Sequence, residues 1–271
     1  MLPGAGGVNM DLQIDGTSAL VTASSGGLGK AAAAALVREG VDVVINGRDQ
    51  ARLDATATEL ADLGGGEVIA QVGDLCEPDD IQLLVERTVD AYGGIDHLVT
   101  SAGGPPSGPF TDIPTEEWYH TYDLLVMSVV RLVHHAAPYL EDGGGSIVTI
   151  TSRSVKEAID GLVLSNAVRM AVIGLEKTLS TELAPAVRAN AVLPGPHETA
   201  RIRELVEQQV DRGEVDSYEA GLAAWAEDVP VGHLGDAAGL GAMVAFLCSP
   251  LASYINGAAI PIDGGVGASN L

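Results

Sequence analysis

The feature that most limits how this chain can fold is a regular alternation of short apolar, β-branched runs with longer helical stretches. Strand-like runs occur at Ser18–Thr22, Asp42–Asn46, Glu67–Gly73, His97–Ser101, Ser146–Thr151, Arg188–Leu193 and Ala258–Ile262. Most are apolar throughout, the pattern of parallel strands covered on both faces. Between them lie Leu28–Gly40, Asp49–Leu63, Pro78–Tyr92, Glu116–Leu140, Leu162–Leu183 and Asp236–Cys248, each long enough for a crossover helix. In the last, Leu240, Met243, Val244 and Leu247 fall on one helical stripe. This alternation predicts the α/β class, as a doubly wound, seven-stranded parallel sheet. At 271 residues, with no internal repeat and no composition break, the chain reads as one domain spanning residues 10–271. Residues Glu198–Val229 are acidic and helical but lack a strand. They read as an insert, a candidate lid over a site at the C-terminal ends of the strands.

Charge narrows the function classes. Asp and Glu number 37 against 14 Lys and Arg, a formal net charge of −23, and only Lys30, Lys156 and Lys177 are lysines. A field of that sign repels phosphate backbones and excludes a nucleic-acid-coating role. Such self-repulsion is tolerable where salt screens it, so a salt-adapted, halophilic protein is expected. Cys76 and Cys248 lie far apart, outside any C-x-x-C pair, and are read as buried free thiols. Residues 1–9 are Gly-rich and precede a second methionine, Met10; they read as a disordered extension or an upstream start, not as a secretory signal. No apolar run reaches the roughly 18 residues of a membrane helix, and a cytoplasmic location is expected.

The first strand runs into Thr22-Ala23-Ser24-Ser25-Gly26-Gly27-Leu28-Gly29 and then an alanine-rich helix. Glycines let backbone approach a ligand, and a helix start offers unpaired N–H groups to a pyrophosphate. Ser24, Ser25, Gly27 and Leu28 are therefore candidate cofactor contacts. The second strand ends Asn46-Gly47-Arg48. A carboxylate there would hold a ribose 2′-OH, whereas Arg accommodates a 2′-phosphate, so Arg48 favours NADP over NAD. Asp74 and Leu75 follow the third strand, where Asp74 can accept from an adenine amine or cap a helix. Ser101, Ala102 and Gly103 end the fourth strand, small enough for a cofactor to lie against them. Pro194 and Gly195 end the sixth in a rigid turn suited to a nicotinamide.

Together these pieces resemble the short-chain dehydrogenase/reductase family, over residues 10–265, and most nearly its 3-oxoacyl-carrier-protein reductase branch. The family pattern T-G-x-x-x-G-[IL]-G is matched at Thr22–Gly29, with Ala23 in place of the first glycine. N-N-A-G is represented by Thr100-Ser101-Ala102-Gly103, and the Pro-Gly turn with a Thr four residues on by Pro194, Gly195 and Thr199. The closing run is similar from Val231 through Asn256-Gly257 to Asp263-Gly264-Gly265. The resemblance implies a Rossmann-type domain, a nicotinamide cofactor, a small carbonyl or alcohol substrate, and a homotetramer built on the helices at 116–140 and 162–183 and the last strand.

The catalytic centre departs from the family. Ser152 matches the serine of the fifth strand, but the Tyr-x-x-x-Lys of the next helix is replaced by Ser165 and Arg169, and the Asn of the preceding helix by Leu125. In the family the phenol, acidified by the ammonium, exchanges a proton with the substrate oxygen. A serine hydroxyl is far less acidic, and a guanidinium stays charged. Hydride transfer by positioning alone remains open to such a site. Arg169 is then expected to orient the nicotinamide ribose together with a substrate carboxylate, phosphate or polarised carbonyl, and Ser152 to bond the carbonyl. Lys156 and His197 are candidate substitute acids in the substrate pocket. His134 and His135 read as a surface or interface pair, and no grouping has zinc-site spacing. Two classes stand: an atypical NADP-preferring oxidoreductase, or a dinucleotide-binding sensor or partner subunit with weak catalysis. A dehydratase or epimerase is disfavoured because no large C-terminal substrate domain follows.

Overall fold

A computed structural model describes residues 10–270, without the side chains of 200, 201, 204, 205 and 208. The expected extension at 1–9 lies outside the described residues.

Seven parallel strands form one sheet: β1 (Ser18–Val21), β2 (Asp42–Gly47), β3 (Val68–Val72), β4 (His97–Thr100), β5 (Gly145–Ile150), β6 (Val187–Pro194) and β7 (Ala259–Ile262). Their order across the sheet is β3-β2-β1-β4-β5-β6-β7. The chain winds outward from β1 to β3 and then returns to place β4 beside β1. That reversal opens a crevice at the C-terminal ends of β1 and β4, where ligands bind in sheets of this kind.

Each face of the sheet carries its own core. Helices α1 (Gly27–Arg38), α2 (Gln50–Ala61) and α9 (Ala237–Cys248) bury Leu36, Leu53, Leu60, Leu240 and Val244 against Ala19, Val21, Val43 and Ile45. Helix α3 (Pro78–Tyr92) begins on a proline that needs no N–H partner and stops at Gly93, whose φ of 83° is a left-handed cap. With α5 (Ser128–Gly143) and α6 (Val163–Glu182) it buries Leu84, Leu132 and Leu179 against Leu20, Val44, Leu98 and Ile147.

Two expectations change, over 116–140 and at Cys76. The stretch over 116–140 is not one α-helix: α4 (Thr115–Tyr122) and α5 are joined by a π turn at Asp123–Met127. The extra residue in such a turn frees a carbonyl, and the Ser128 hydroxyl donates to Leu124 O at 2.6 Å. The insert over 198–229 forms α7 (Ala200–Asp211) and α8 (Tyr218–Ala226). Both cysteines are free, but only Cys248 is buried; Cys76 is half-buried beside Asp74 and His120. Burial, and then the negative charge of Asp74, pushes the Cys76 thiol up to about 11.

Candidate active site

The glycine turn between β1 and α1 is built around buried hydrogen bonds. Ala23, where the family has glycine, holds a left-handed φ of 45°, and its N–H donates to the Asn46 side chain at 3.2 Å. Asn46 also donates to Gly73 O at 3.0 Å, tying the ends of β1, β2 and β3 together. A Cβ on Gly29 would stand 2.6 Å from Ala23 O, so only glycine lets the first turn of α1 pack under the loop. Ser24 does not face the groove as expected: it is sealed at 0% exposure, its hydroxyl donating to Val21 O at 2.6 Å and accepting from Asn46 N–H at 3.0 Å. Its role is to fix the turn.

Three adjoining cavities run along the C-terminal edge of the sheet. The first, about 250 Å³, is lined by Ser25, Gly47, Arg48, Asp74 and Leu75. Arg48, with a largely exposed side chain, lies 3.9 Å from the Asp74 carboxylate, whose other oxygen accepts from Cys76 N–H at 2.9 Å. Gly47 is required here for a reason beyond ligand space, since a Cβ would meet the Ser25 side chain at 2.9 Å. A second cation, missed by sequence reasoning, also lines this cavity: Arg52, in the first turn of α2, donates its Nε–H to Ser25 O at 3.1 Å. The signal was present. Asp49 caps α2, bonding Arg52 N–H at 2.8 Å, and so starts a helix whose first turn faces the glycine loop.

The second cavity, about 350 Å³, is lined by Gly26, Gly27, Leu28, Ser101, Ala102, Gly103, Arg52 and Arg169. The third, about 510 Å³, holds Ser152, Ser165, Arg169, Pro194, Gly195, His197 and Thr199, with Leu28, Leu162 and Trp225 among its apolar walls. Shared walls at Ala23, Gly26, Arg52 and Gly103, and then at Leu28, Gly104, Thr151, Arg169 and Thr199, make the three one groove. Trp225 and Ile202 bring the 198–229 insert over its end.

Within the third cavity, Ser152 Oγ accepts from Ser154 N–H at 3.1 Å, which leaves its own hydrogen to donate. Ser165 is buried and lies 3.0 Å, oxygen to oxygen, from Ser154, a hydroxyl pair that sequence reasoning did not reveal. His197 is buried, and because a carbonyl only accepts, its Nδ1 carries the hydrogen shared with Gly195 O at 3.0 Å. The ring edge packs so closely on Gly235 that a Cβ there would lie 2.6 Å from it. Lys156 is exposed on the turn after β5 and is not among the described lining residues. Arg153 in the same turn is paired with Glu157.

Arg169 and Leu125 also border a small internal space of about 10 Å³, with Thr100, Ser128, Thr149 and Val172, roughly the room of one water. Two helical turns beyond Arg169, Glu176 is fully enclosed. It accepts from the Thr149 hydroxyl, which accepts in turn from Thr100 at 2.8 Å; the other Glu176 oxygen has no partner. Burial pushes this carboxyl up to about 8, against the smaller opposing effect of the Thr149 bond.

The family description enoyl-(acyl carrier protein) reductase matches residues 22–267 of the chain. Human dehydrogenase/reductase SDR family member 4 is 34% identical over 253 residues, covering 91% of this chain and 86% of that protein. The chain belongs to the short-chain dehydrogenase/reductase family. Among solved members of this oxidoreductase family, L-sorbose reductase from Gluconobacter frateurii, complexed with NADPH and L-sorbose, superimposes with a TM-score of 0.91 at 29% identity, covering 96% of this chain and all of that one. Actinorhodin polyketide ketoreductase with NADPH gives 0.86 at 31% identity, covering 93% and 97%. The short-chain dehydrogenase/reductase match thus takes in both the glycine turn and the Pro-Gly turn. The groove fits a dinucleotide on its own geometry: a glycine cradle that a Cβ would fill, a helix start beside it, and two arginines where negative charge is needed. Among the described residues no group of three or more His, Cys, Asp or Glu could hold a metal ion, and no helix is long and apolar enough to cross a membrane.

Proposed function

We propose that the protein is an NADP-preferring oxidoreductase that interconverts a small-molecule carbonyl and its alcohol. The observation that carries this is the single groove joining the Arg48–Arg52 end to Ser152, Ser165 and Arg169. When bound, the cofactor supplies the hydride at its nicotinamide C4. The first-turn amides of α1 hold negative charge at the glycine loop, with Arg48 and Arg52 recognising the 2′-phosphate end. Asp74 and Leu75 bound the adenine end, and Ser101 to Gly103 the middle. Pro194 and Gly195 brace the nicotinamide end, where Arg169 orients ribose and substrate. Ser152 donates its free O–H to the carbonyl oxygen. Ser165, backed by Ser154, provides a second hydroxyl.

Leu125, Ser165 and Arg169 leave no phenol–ammonium pair, so general acid help worth about 10²–10⁴-fold is forgone and turnover is slow. His197 is a weak candidate for replacing it because its Nδ1–H is committed to Gly195, and Lys156 faces solvent. The 198–229 insert acts as a lid through Trp225. Fluorescence titration with NADPH and NADH, followed by a carbonyl panel in molar KCl, tests the reading; tighter binding of NADH would overturn the Arg48 argument.

The loss of the phenol favours one second reading, a dinucleotide-binding sensor or partner subunit. Tight cofactor binding without turnover of any ketone, aldehyde or acyl thioester would select it. We further infer a homotetramer: α4 and α6 expose Tyr119 and Met170 beside a hollow lined by Trp118, Tyr122, Met127 and Val168. Light scattering after gel filtration tests it. A cytoplasmic, salt-adapted protein fits the net charge of −23.

A further inference from the structure

We propose that the substrate of this site is an oxo acid, whose carboxylate pairs with Arg169 while its neighbouring carbonyl meets Ser152 and Ser165. This rests on the oxidoreductase reading above and narrows it to one class of compound.

The first support is the state of Arg169. It is only 8% exposed, makes no hydrogen bond or ion pair with any described residue, and its Nε is buried without a partner. Burial lowers the guanidinium to about 10, which still leaves it charged at neutral pH. Two other sheltered cations have a carboxylate, Arg131 meeting Asp123 at 2.7 Å and Arg153 meeting Glu157, and half-buried Arg188 at least donates to Cys248 O and Ser249 O. An isolated buried charge is costly unless something of opposite sign arrives.

The second support is what surrounds it. The chain carries 37 carboxylates, yet no described Asp or Glu lines the 510 Å³ cavity or the 350 Å³ cavity beside it. In so acidic a protein, a pocket walled by arginine, hydroxyls and apolar groups is an electropositive island that concentrates anions.

Geometry sets the spacing within the substrate. Ser165 and Arg169 stand one turn apart on α6, with Cβ atoms about 5–6 Å from each other. Long helical side chains lean toward the N-terminus, which brings the guanidinium back toward the level of Ser165. A carbonyl on the serines and an anion on Arg169 therefore belong to atoms one or two bonds apart, as in a 2-oxo or 3-oxo acid. Leu28, Leu162 and Trp225 leave an apolar space for the remainder of the molecule. The conversion balances as oxo acid plus NADPH plus one proton giving hydroxy acid plus NADP⁺. The carbonyl carbon gains the hydride, the C=O π bond opens, and the oxygen takes the proton from water through the serine hydroxyls.

The test measures NADPH oxidation by the full chain in molar KCl with matched pairs: 2-oxo and 3-oxo acids, each against its ethyl ester. The acid is expected to exceed its ester in kcat/KM by roughly a hundredfold, the effect of losing one partner from a buried charge pair. Arg169→Gln should bring that ratio close to one, and a ratio within one enzyme is insensitive to any change in cofactor affinity. Independently of any variant, the matching hydroxy acid should raise the melting temperature of the NADP⁺-loaded protein, and its ester should not. Esters reduced as well as acids would overturn the inference while leaving the oxidoreductase reading intact. Cofactor binding with neither acid nor ester reduced would overturn both.

Discussion

Replacing Glu176 with glutamine should make the protein more stable in alkaline solution and leave it nearly unchanged in acid. The carboxyl is enclosed by the sheet and α6, bonded to the Thr149 hydroxyl through one oxygen and to nothing through the other. Burial raises it from 4.5 to about 8. At about 1.4 kcal/mol per unit, ionising it inside the fold costs on the order of 5 kcal/mol. The folded state thus holds this proton more tightly than the unfolded chain does. The associated stability is fully present below about 4.5, falls as pH rises through the window to about 8, and is absent above it. Glutamine keeps a carbonyl for Thr149 and replaces the unpartnered Oε2 by an amide that never ionises. Urea unfolding of both proteins at constant KCl, from pH 5 to 9, should give a stability difference near zero at the acid end. That difference should grow to several kcal/mol in favour of Glu176→Gln at the alkaline end. Taking the difference cancels every titration the two proteins share, including that of buried His97, which burial lowers to about 4. A difference that stays flat across this range would mean that the Glu176 carboxyl does not hold its proton more tightly in the folded protein.

Other substitutions probe the cofactor turn and the missing acid. Ala23→Gly relieves a left-handed φ of 45° and should stabilise by about 0.5–1 kcal/mol, read as a melting temperature higher by roughly 1–3 °C; no rise would mean the turn is unstrained. Arg48→Ala should weaken NADPH binding about tenfold or more while changing NADH binding little. Arg52→Ala, which also removes the bond to Ser25 O, should weaken both cofactors and NADPH the more; equal losses for NADPH and NADH in Arg48→Ala would show that it does not read the phosphate. Restoring the family groups by Ser165→Tyr, Arg169→Lys and Leu125→Asn together should raise kcat for neutral ketones by ~10²–10⁴-fold, and an unchanged rate would point to a proton donor already in place.

How far the fold could be read from the chain depended on what each segment states locally. All-apolar strands such as Val43–Ile45 can only be covered on both faces, and α3 carries both end signals, Pro78 and Gly93, so its bounds match the expected ones. The π turn at Asp123–Met127 left no trace because one added residue barely disturbs apolar spacing. The groove residues were legible wherever backbone sets the site, as at Gly27, Ala102 and Gly195. Side chains that turn inward were not: Ser24 resembles a ligand contact but spends its hydroxyl on β1 and β2. Glu176 resembles a solvated helix residue beside Lys177, although Val168, Val172 and Leu179 place it on the buried stripe of α6. Lys156 lies near Ser152 in sequence yet is exposed, in a turn where Arg153 pairs with Glu157.

We infer that the groove ending on Ser152, Ser165 and Arg169 reduces a carbonyl with a bound nicotinamide although it lacks a phenol. Single-turnover mixing of the purified chain with NADPH and an oxo acid, followed by absorbance at the nicotinamide band and by product analysis, tests it most directly. One hydroxy acid should form per NADPH consumed, and more slowly when the C4 hydrogen is replaced by deuterium. NADPH that binds and persists unoxidised over hours with every carbonyl offered would contradict it.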